Sequence, residues 1–379
     1  MKKNLIVTAV AALAASFAGA ASAQSSVTLY GLVDAGFTFV NNVQNHTGDG
    51  EKTNEYGMTG GNVNMSRWGL RGAEDLGGGM KAIFTLENGF DVTNGSSLGG
   101  SGFGRQAFVG LSTNAGTVTL GRQTDSVVDY LGPLSATGTW GGTAFAHPSN
   151  LDNLDGNAFR ENNSVKFQSN NYAGFSFSGL YGFSNAAGSF AANRAYSIGA
   201  GYTNAGLKLG LAYMQANGLN SNATGSIVLD NELNQFSADA RQRTFGAGAS
   251  YAIGAATFGA LWTQTRQDSN AMPGSNVINN YEVNGRYALT PALSLGAEYA
   301  FTNAKLGNTE DASRVRFHQF GLQTDYALSK RTDIYAEGVM QIASGLAKGE
   351  YPAAGINGAG DLSSSSRQIL VTTGIRHRF

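Results

Sequence analysis

From Val27 the chain alternates. Val27, Leu29, Gly31, Val33, Ala35, Phe37 and Phe39 are apolar or small, while Thr28, Tyr30, Leu32, Asp34, Gly36 and Thr38 between them form a mixed polar set. The far end repeats this: Ile369, Val371, Thr373, Ile375, His377 and Phe379 fall on one face, and Gln368, Leu370, Thr372, Gly374, Arg376 and Arg378 on the other. Successive side chains of a strand point to opposite faces, so a period of two over a dozen residues predicts a strand with one apolar face.

The pattern recurs and predicts sixteen strands, near 27–40, 65–74, 80–90, 104–113, 117–123, 161–169, 174–183, 194–203, 207–216, 243–252, 255–265, 278–289, 293–303, 315–327, 332–343 and 367–379. Short turns alternate with long connections. STNAGTVTLG (112–121) and YTNAGLKLG (202–210) share a Thr-Asn-Ala-Gly turn, and Asn and Gly supply the positive φ that tight hairpins need. The long connections are 41–64, 91–103, 124–160, 184–193, 217–242, 266–277, 304–314 and 344–366. An even number of antiparallel strands, with short turns at one rim and long loops at the other, predicts an all-β, 16-stranded transmembrane barrel with a water-filled lumen. A soluble sandwich or propeller would show shorter strands or a blade repeat, and neither is present.

Composition agrees with the barrel. Glycine is abundant (53) and proline scarce (5), without a collagen triplet, and 3 Trp, 15 Tyr and 21 Phe are too many aromatics for a disordered linker. Met1-Lys2-Lys3, an apolar stretch from Leu5 to Ala20 and the small-x-small triplet Ala21-Ser22-Ala23 read as a signal peptide over 1–23. Residues 24–379 then form the barrel, with 23 Lys+Arg against 26 Asp+Glu, a formal charge of −3. That balance predicts no nucleic-acid partner, and electrostatic function falls to local patches. With no cysteine, disulfides, thiolate metal sites and a cysteine nucleophile are all excluded.

At this point SSVTLYGLVDAG (25–36), SRWGLRGAEDLGGGMKAIFTLENGF (66–90), GRQAFVGLSTNAGTVTLGRQ (104–123), RENNSVKF (160–167) and GIRHRF (374–379) are together similar to a known family. The chain resembles the trimeric general porins of Gram-negative outer membranes, especially the β-proteobacterial and neisserial branch. The resemblance implies a homotrimer, an outer-membrane location among lipid and lipopolysaccharide, and a C-terminal Phe379 read by the barrel-insertion machinery. It also implies that the third long loop, the 37 residues from Thr124 to Arg160, folds inward as a constriction loop.

Carried over motif by motif, the constriction residues are Arg67, Arg105 and Arg160, with the carboxylate of Glu87. Strand parity independently puts Arg67 and Arg71 on one face and Trp68 and Leu70 on the other. Tyr30, Asp34, Arg71, Arg122, Asp125 and Asp129 are further pore-lining candidates. Two departures matter. Leu32 stands where many cation-preferring relatives have a lysine, and the loop tip from Tyr130 to Asn150 contains no Asp or Glu. The loop's acids are Asp125 and Asp129 on the way in, and Asp152 and Asp155 on the way out. Arginines facing an uncharged tip predict an anion-preferring eyelet.

Enzyme readings find no support. His46, His147, His318 and His377 are dispersed without metal-ligand spacing, and GGSGFG (99–104) precedes a strand rather than a helix. No catalytic residue, metal or cofactor is expected. The sequence therefore predicts passive diffusion of small hydrophilic solutes and ions. A channel specific for an organic anion or phosphate, or a surface adhesin, are the alternatives.

Overall fold

The computed structural model describes residues 25–44, 52–98, 101–218, 224–227, 240–268, 274–307, 313–345 and 352–379, so the signal peptide expected over 1–23 lies outside the described residues. The strands are β1 (Ser26–Gln44), β2 (Lys52–Gly60), β3 (Arg67–Gly77), β4 (Met80–Gly89), β5 (Gln106–Thr113), β6 (Gly116–Gln123), β7 (Glu161–Ser169), β8 (Phe175–Gly182) and β9 (Arg194–Asn204). They continue as β10 (Leu207–Asn217), β11 (Arg241–Ile253), β12 (Ala256–Asp268), β13 (Asn276–Ala288), β14 (Leu293–Leu306), β15 (Ser313–Ala327), β16 (Thr332–Gly345) and β17 (Arg367–Arg378).

One edge of β1 closes the sheet on β17, from Leu32↔Arg378 to Val40↔Leu370. Its other edge pairs first with β3, from Ser26↔Ala73 to Leu32↔Arg67, and then with β2, from Ala35↔Gly60 to Gln44↔Lys52. The two partners are collinear halves of one strand, interrupted at 61–66. Among the described residues the closed barrel therefore has sixteen strand positions, as the alternation predicts.

The connection expected over 41–64 is corrected in its second half. KTNEYGMTG is a strand whose outward apolar residues are only Tyr56 and Met58, set among polar residues and glycines that dilute the alternation. The repeated Thr-Asn-Ala-Gly motif also resolves into two different turns. After β9 the turn is Ala205-Gly206, both at positive φ (47° and 89°), whereas after β5 it is Asn114-Ala115.

The barrel is inside-out in its packing. Outward positions carry exposed Leu29, Val109, Leu120, Ile198, Leu211, Val283 and Leu322. Aromatic pairs flank this band: Phe245–Trp262 and Tyr281–Phe301 on the long-loop side, Phe175–Tyr202 on the short-turn side. That is the surface a bilayer demands of a barrel.

The buried apolar core lies inside, where residues 124–160 pack on the wall. Tyr130, Leu131 and Leu134 meet Ala212, Met214 and Leu261, and Trp140 and Phe145 meet Val339 and Leu370. Inward-facing glycines make room for these side chains. A Cβ on Gly199 or Gly296 would lie 2.5 Å from the ring of Tyr130 or Trp140, respectively. Much of the glycine excess is thus explained by a wall that holds a loop. Residues 352–366, expected as an outer loop, also pack inward: Ile356 and Ala359 join the second cluster, and Asn357 donates to the carbonyls of Ala146 and His147.

Candidate functional site

The arginine motifs converge on the wall opposite the packed loop. Strand register places Tyr30 beside Gly69 and Gly69 beside Glu87, so the inward side chains of β1, β3 and β4 meet there. The Tyr30 hydroxyl donates to Glu87 Oε2 at 3.0 Å, and Arg105 Nε donates to Glu87 Oε1 at 2.8 Å. Arg105 Nη1 then donates to Asn157 Oδ1 at 3.0 Å, joining the wall to the exit limb of the loop. Arg71 stacks its guanidinium 5.2 Å from the Tyr30 ring centroid.

Arg67 and Arg160 complete the set. Arg67 Nε donates to its own neighbour, the Met65 carbonyl, at 3.1 Å. The charge of Arg105 acts on both Arg67 and Arg160, and Glu87 acts on all three. Arg160, just ahead of β7, is buried, and its Nε has no hydrogen-bond partner. Burial first, then Arg105 and Arg122, lower its pKa, but an arginine starts high enough to stay protonated.

Parity alone misplaces Arg105. It is an even number of residues from the outward Val109 and Leu111, yet it points to Glu87 because the chain leaves the regular ladder at Gln106. The motif resemblance found it where alternation could not. Asn157, the loop's link to the wall, was missed, since a lone asparagine in a polar stretch carries no pattern.

Other expected lining residues are brought elsewhere. Asp34 is fully buried, and Oδ2 accepts from the N–H groups of Val63 and Asn64 at 2.9 and 2.8 Å. Its carboxylate organises the break between β2 and β3. Arg122 shares its strand face with the outward Val118 and Leu120, and it holds the Gly104 carbonyl and Asn162 Oδ1. It stands behind Arg160, against the expectation of a pore-lining charge. Arg376, on the polar face of the last strand, is buried between Asp325 and Asp333.

The loop's acids are all occupied. Asp125 caps α1 (Ser126–Tyr130), Oδ1 accepting from Val127 and Val128 N–H. Burial, reinforced by nearby Asp129, pushes its carboxyl up to about 6 despite those N–H donors. Asp129 pairs with Lys166 at 2.6 Å. Asp152 bonds His147, and Asp155 holds Asn157 through its backbone N–H and its side-chain amide, each at 2.9 Å. The site thus brings together four guanidinium groups, with Glu87 and Asp155 as the carboxylates acting on them. The strand register also sets Leu32 opposite Arg67, an uncharged neighbour.

The sequence matches the Gram-negative porin family over residues 9–344. The chain is a Gram-negative porin. This porin is 33% identical to an outer membrane porin protein of Bordetella pertussis, in a 419-residue alignment covering 100% of both chains. It is likewise 33% identical to outer membrane porin protein 32 of Delftia acidovorans over 388 residues, again covering 100% of both. Its fold is similar to that of the anion-selective porin from Comamonas acidovorans, with TM-score 0.74 and 27% identity over 94% of this chain and 100% of that one. The porin is an integral β-barrel of the outer membrane and a channel for passive diffusion.

Proposed function

We propose that this porin passes small hydrophilic solutes with a preference for anions, selected by Arg67, Arg105 and Arg160 with Arg71 beside them. One observation carries the reading: Arg67, Arg105 and Arg160 gather around Glu87, with Arg71 on the Tyr30 ring beside them, while the loop residues from Tyr130 to Asn150 bring no acid. A positive constriction in a low-dielectric wall concentrates anions and raises the barrier to cations. Glu87 orients Arg105 and moderates the field. Size exclusion follows from the loop, and no step requires a catalytic group.

Reversal potential across a planar bilayer under a KCl gradient tests the sign. An anion-side potential that shrinks from 0.1 to 1 M salt is expected, because the Debye length falls from about 10 Å to about 3 Å. A cation-side potential refutes the proposal. Conductance saturating at low concentration of one organic anion would instead mark a solute-specific channel.

We take the assembly to be the homotrimer that the family resemblance implies. Lipopolysaccharide phosphates suit a basic outward patch above the long-loop aromatic girdle. There Arg241, Arg243 and Arg266 surround a single acid, Asp268, at 2.9, 2.7 and 3.0 Å.

A further inference from the structure

We propose that the constriction loop is fastened to the barrel wall by a divalent metal ion of the zinc class, held by His147, Glu282 and Glu298. One ligand atom from each lies within 4.8 Å of the others, and all three residues are buried. His147 comes from the loop, Glu282 from β13 and Glu298 from β14. No sequence spacing could show this set, because the loop returns to strands more than a hundred residues away.

The polar atoms of the cluster are left open toward one another. His147 Nε2, Glu282 Oε2 and both oxygens of Glu298 are buried without a hydrogen-bond partner. Buried polar atoms are nearly always satisfied, and here, among the described residues, His147 Nε2 and Glu282 Oε2 have only each other, at 3.1 Å. Gln319, whose amide also reaches Glu298, donates to the Ala146 carbonyl at 3.2 Å. Glu298 is 5% exposed, and among the described residues the one amide beside its carboxylate is Gln319.

The surroundings already set the ligands. Asp152 Oδ2 holds His147 Nδ1 at 2.7 Å and is itself fixed by Thr263 at 2.6 Å and Asn280 at 3.1 Å. A carboxylate only accepts, so Nδ1 carries a proton and Nε2 is the ring nitrogen turned toward Glu282. A carboxylate behind the far ring nitrogen is the usual support of a metal-bound histidine. Glu282 is held in the same way: its Oε1 accepts from Ala136 N–H and the Asn284 amide, both at 2.7 Å, leaving Oε2 for the ion. His147 Nε2 and Glu282 Oε2 stand 3.1 Å apart. That is the gap between two ligands each about 2.1 Å from one cation.

Charge points the same way. Asp152, Glu282 and Glu298 are three carboxylates with one imidazole, and among the described residues no lysine or arginine pairs with any of them. A dication cuts the excess by as much as two protons would. One imidazole with carboxylate oxygens is a ligand set for zinc-class ions rather than for soft copper(I) or an all-oxygen calcium site.

The test uses the full mature chain folded in detergent with zinc chloride, then passed over a chelating resin. Metal analysis by plasma mass spectrometry should find about one zinc per chain. The variants Glu298→Gln and His147→Gln should fall below about a tenth of that, while His377→Gln, on the exposed rim, keeps it. Zinc should raise the unfolding midpoint of the parent protein and leave Glu298→Gln unmoved. Should those variants fail to fold, cobalt(II) on the unaltered protein decides, since a tetrahedral site with a nitrogen ligand gives intense visible bands. A metal-free parent, undiminished zinc in His147→Gln, or a cobalt spectrum like that of the free ion overturns the proposal. The cluster would then be an imidazolium shared between Asp152 and Glu282.

Discussion

Asp34 on β1 and Tyr335 on β16 are joined by a 2.5 Å hydrogen bond that passes over an entire strand. The tyrosine hydroxyl crosses Gly374 of β17, where any side chain would collide with its ring. The same carboxylate holds the interruption between β2 and β3 through Val63 and Asn64. Asp34 therefore ties the barrel's closing seam to its one broken strand.

Replacing Asp34 by alanine leaves three donors, two of them buried, without an acceptor. The expected cost is about 3 kcal/mol, within the range for losing the acceptor of a buried network. Tyr335→Phe removes one donor and should cost about 1 kcal/mol. Neither touches the arginine wall, so reversal potentials should stay unchanged while unfolding midpoints in detergent fall. A large selectivity change with unchanged stability would restore Asp34 as a pore-lining charge.

Glu87 and the arginines should act in opposite senses. Glu87→Gln keeps an oxygen near Arg105 and Tyr30 but removes a negative charge from the cluster. Anion preference should rise, by roughly five-fold at low salt if one charge changes the energy of a nearby ion by about 1 kcal/mol. Triple replacement of Arg67, Arg105 and Arg160 by alanine should abolish or reverse the preference. Bilayer measurements at 0.1 and 1 M KCl check both, since the differences should shrink with screening.

What shows in the chain and what only the closed barrel shows are separated by one physical line. Strand positions were legible because lipid outside and water inside impose a period of two on each segment separately. β2 escaped because glycines and polar residues weaken that signal, and the break at 61–66 depends on Asp34, distant in sequence. Arg67 was readable from parity, whereas Arg105 sits where the ladder ends and parity fails. The role of the inward glycines was illegible because a glycine's partner, such as Trp140 for Gly296, is fixed only by the closed barrel.

That glycine wall supplies a third prediction. Gly296→Val places branched atoms where the Trp140 ring now lies, since even a Cβ would be 2.5 Å from it. Overpacking of this kind costs about 1–3 kcal/mol, and the loop can yield only toward the lumen. Single-channel conductance should fall and the unfolding midpoint should drop with it. Gly338→Ala, where a Cβ meets nothing within 4 Å, is the matched control and should change neither.

Asp125 gives the loop a pH dependence whose sign can be worked out. Its carboxyl is raised in the folded state, by burial first and by Asp129, although Val127 and Val128 N–H groups oppose the shift. A group raised on folding contributes stability that is fully present below its unfolded value near 4. That stability is lost as pH climbs through about 6, its folded value. The anchoring of α1 should therefore be firmer at pH 4.5 than at pH 7.5. Asp125→Asn keeps a side-chain oxygen for the helix cap while removing the charge, so it should raise the midpoint at pH 7.5 and flatten the profile between pH 4 and 6. Unfolding followed by tryptophan fluorescence across that range is the check, because Trp140 belongs to the same loop. A variant with an unaltered slope would show that the pH response comes from the neighbouring Glu161, whose buried carboxylate faces Asp125.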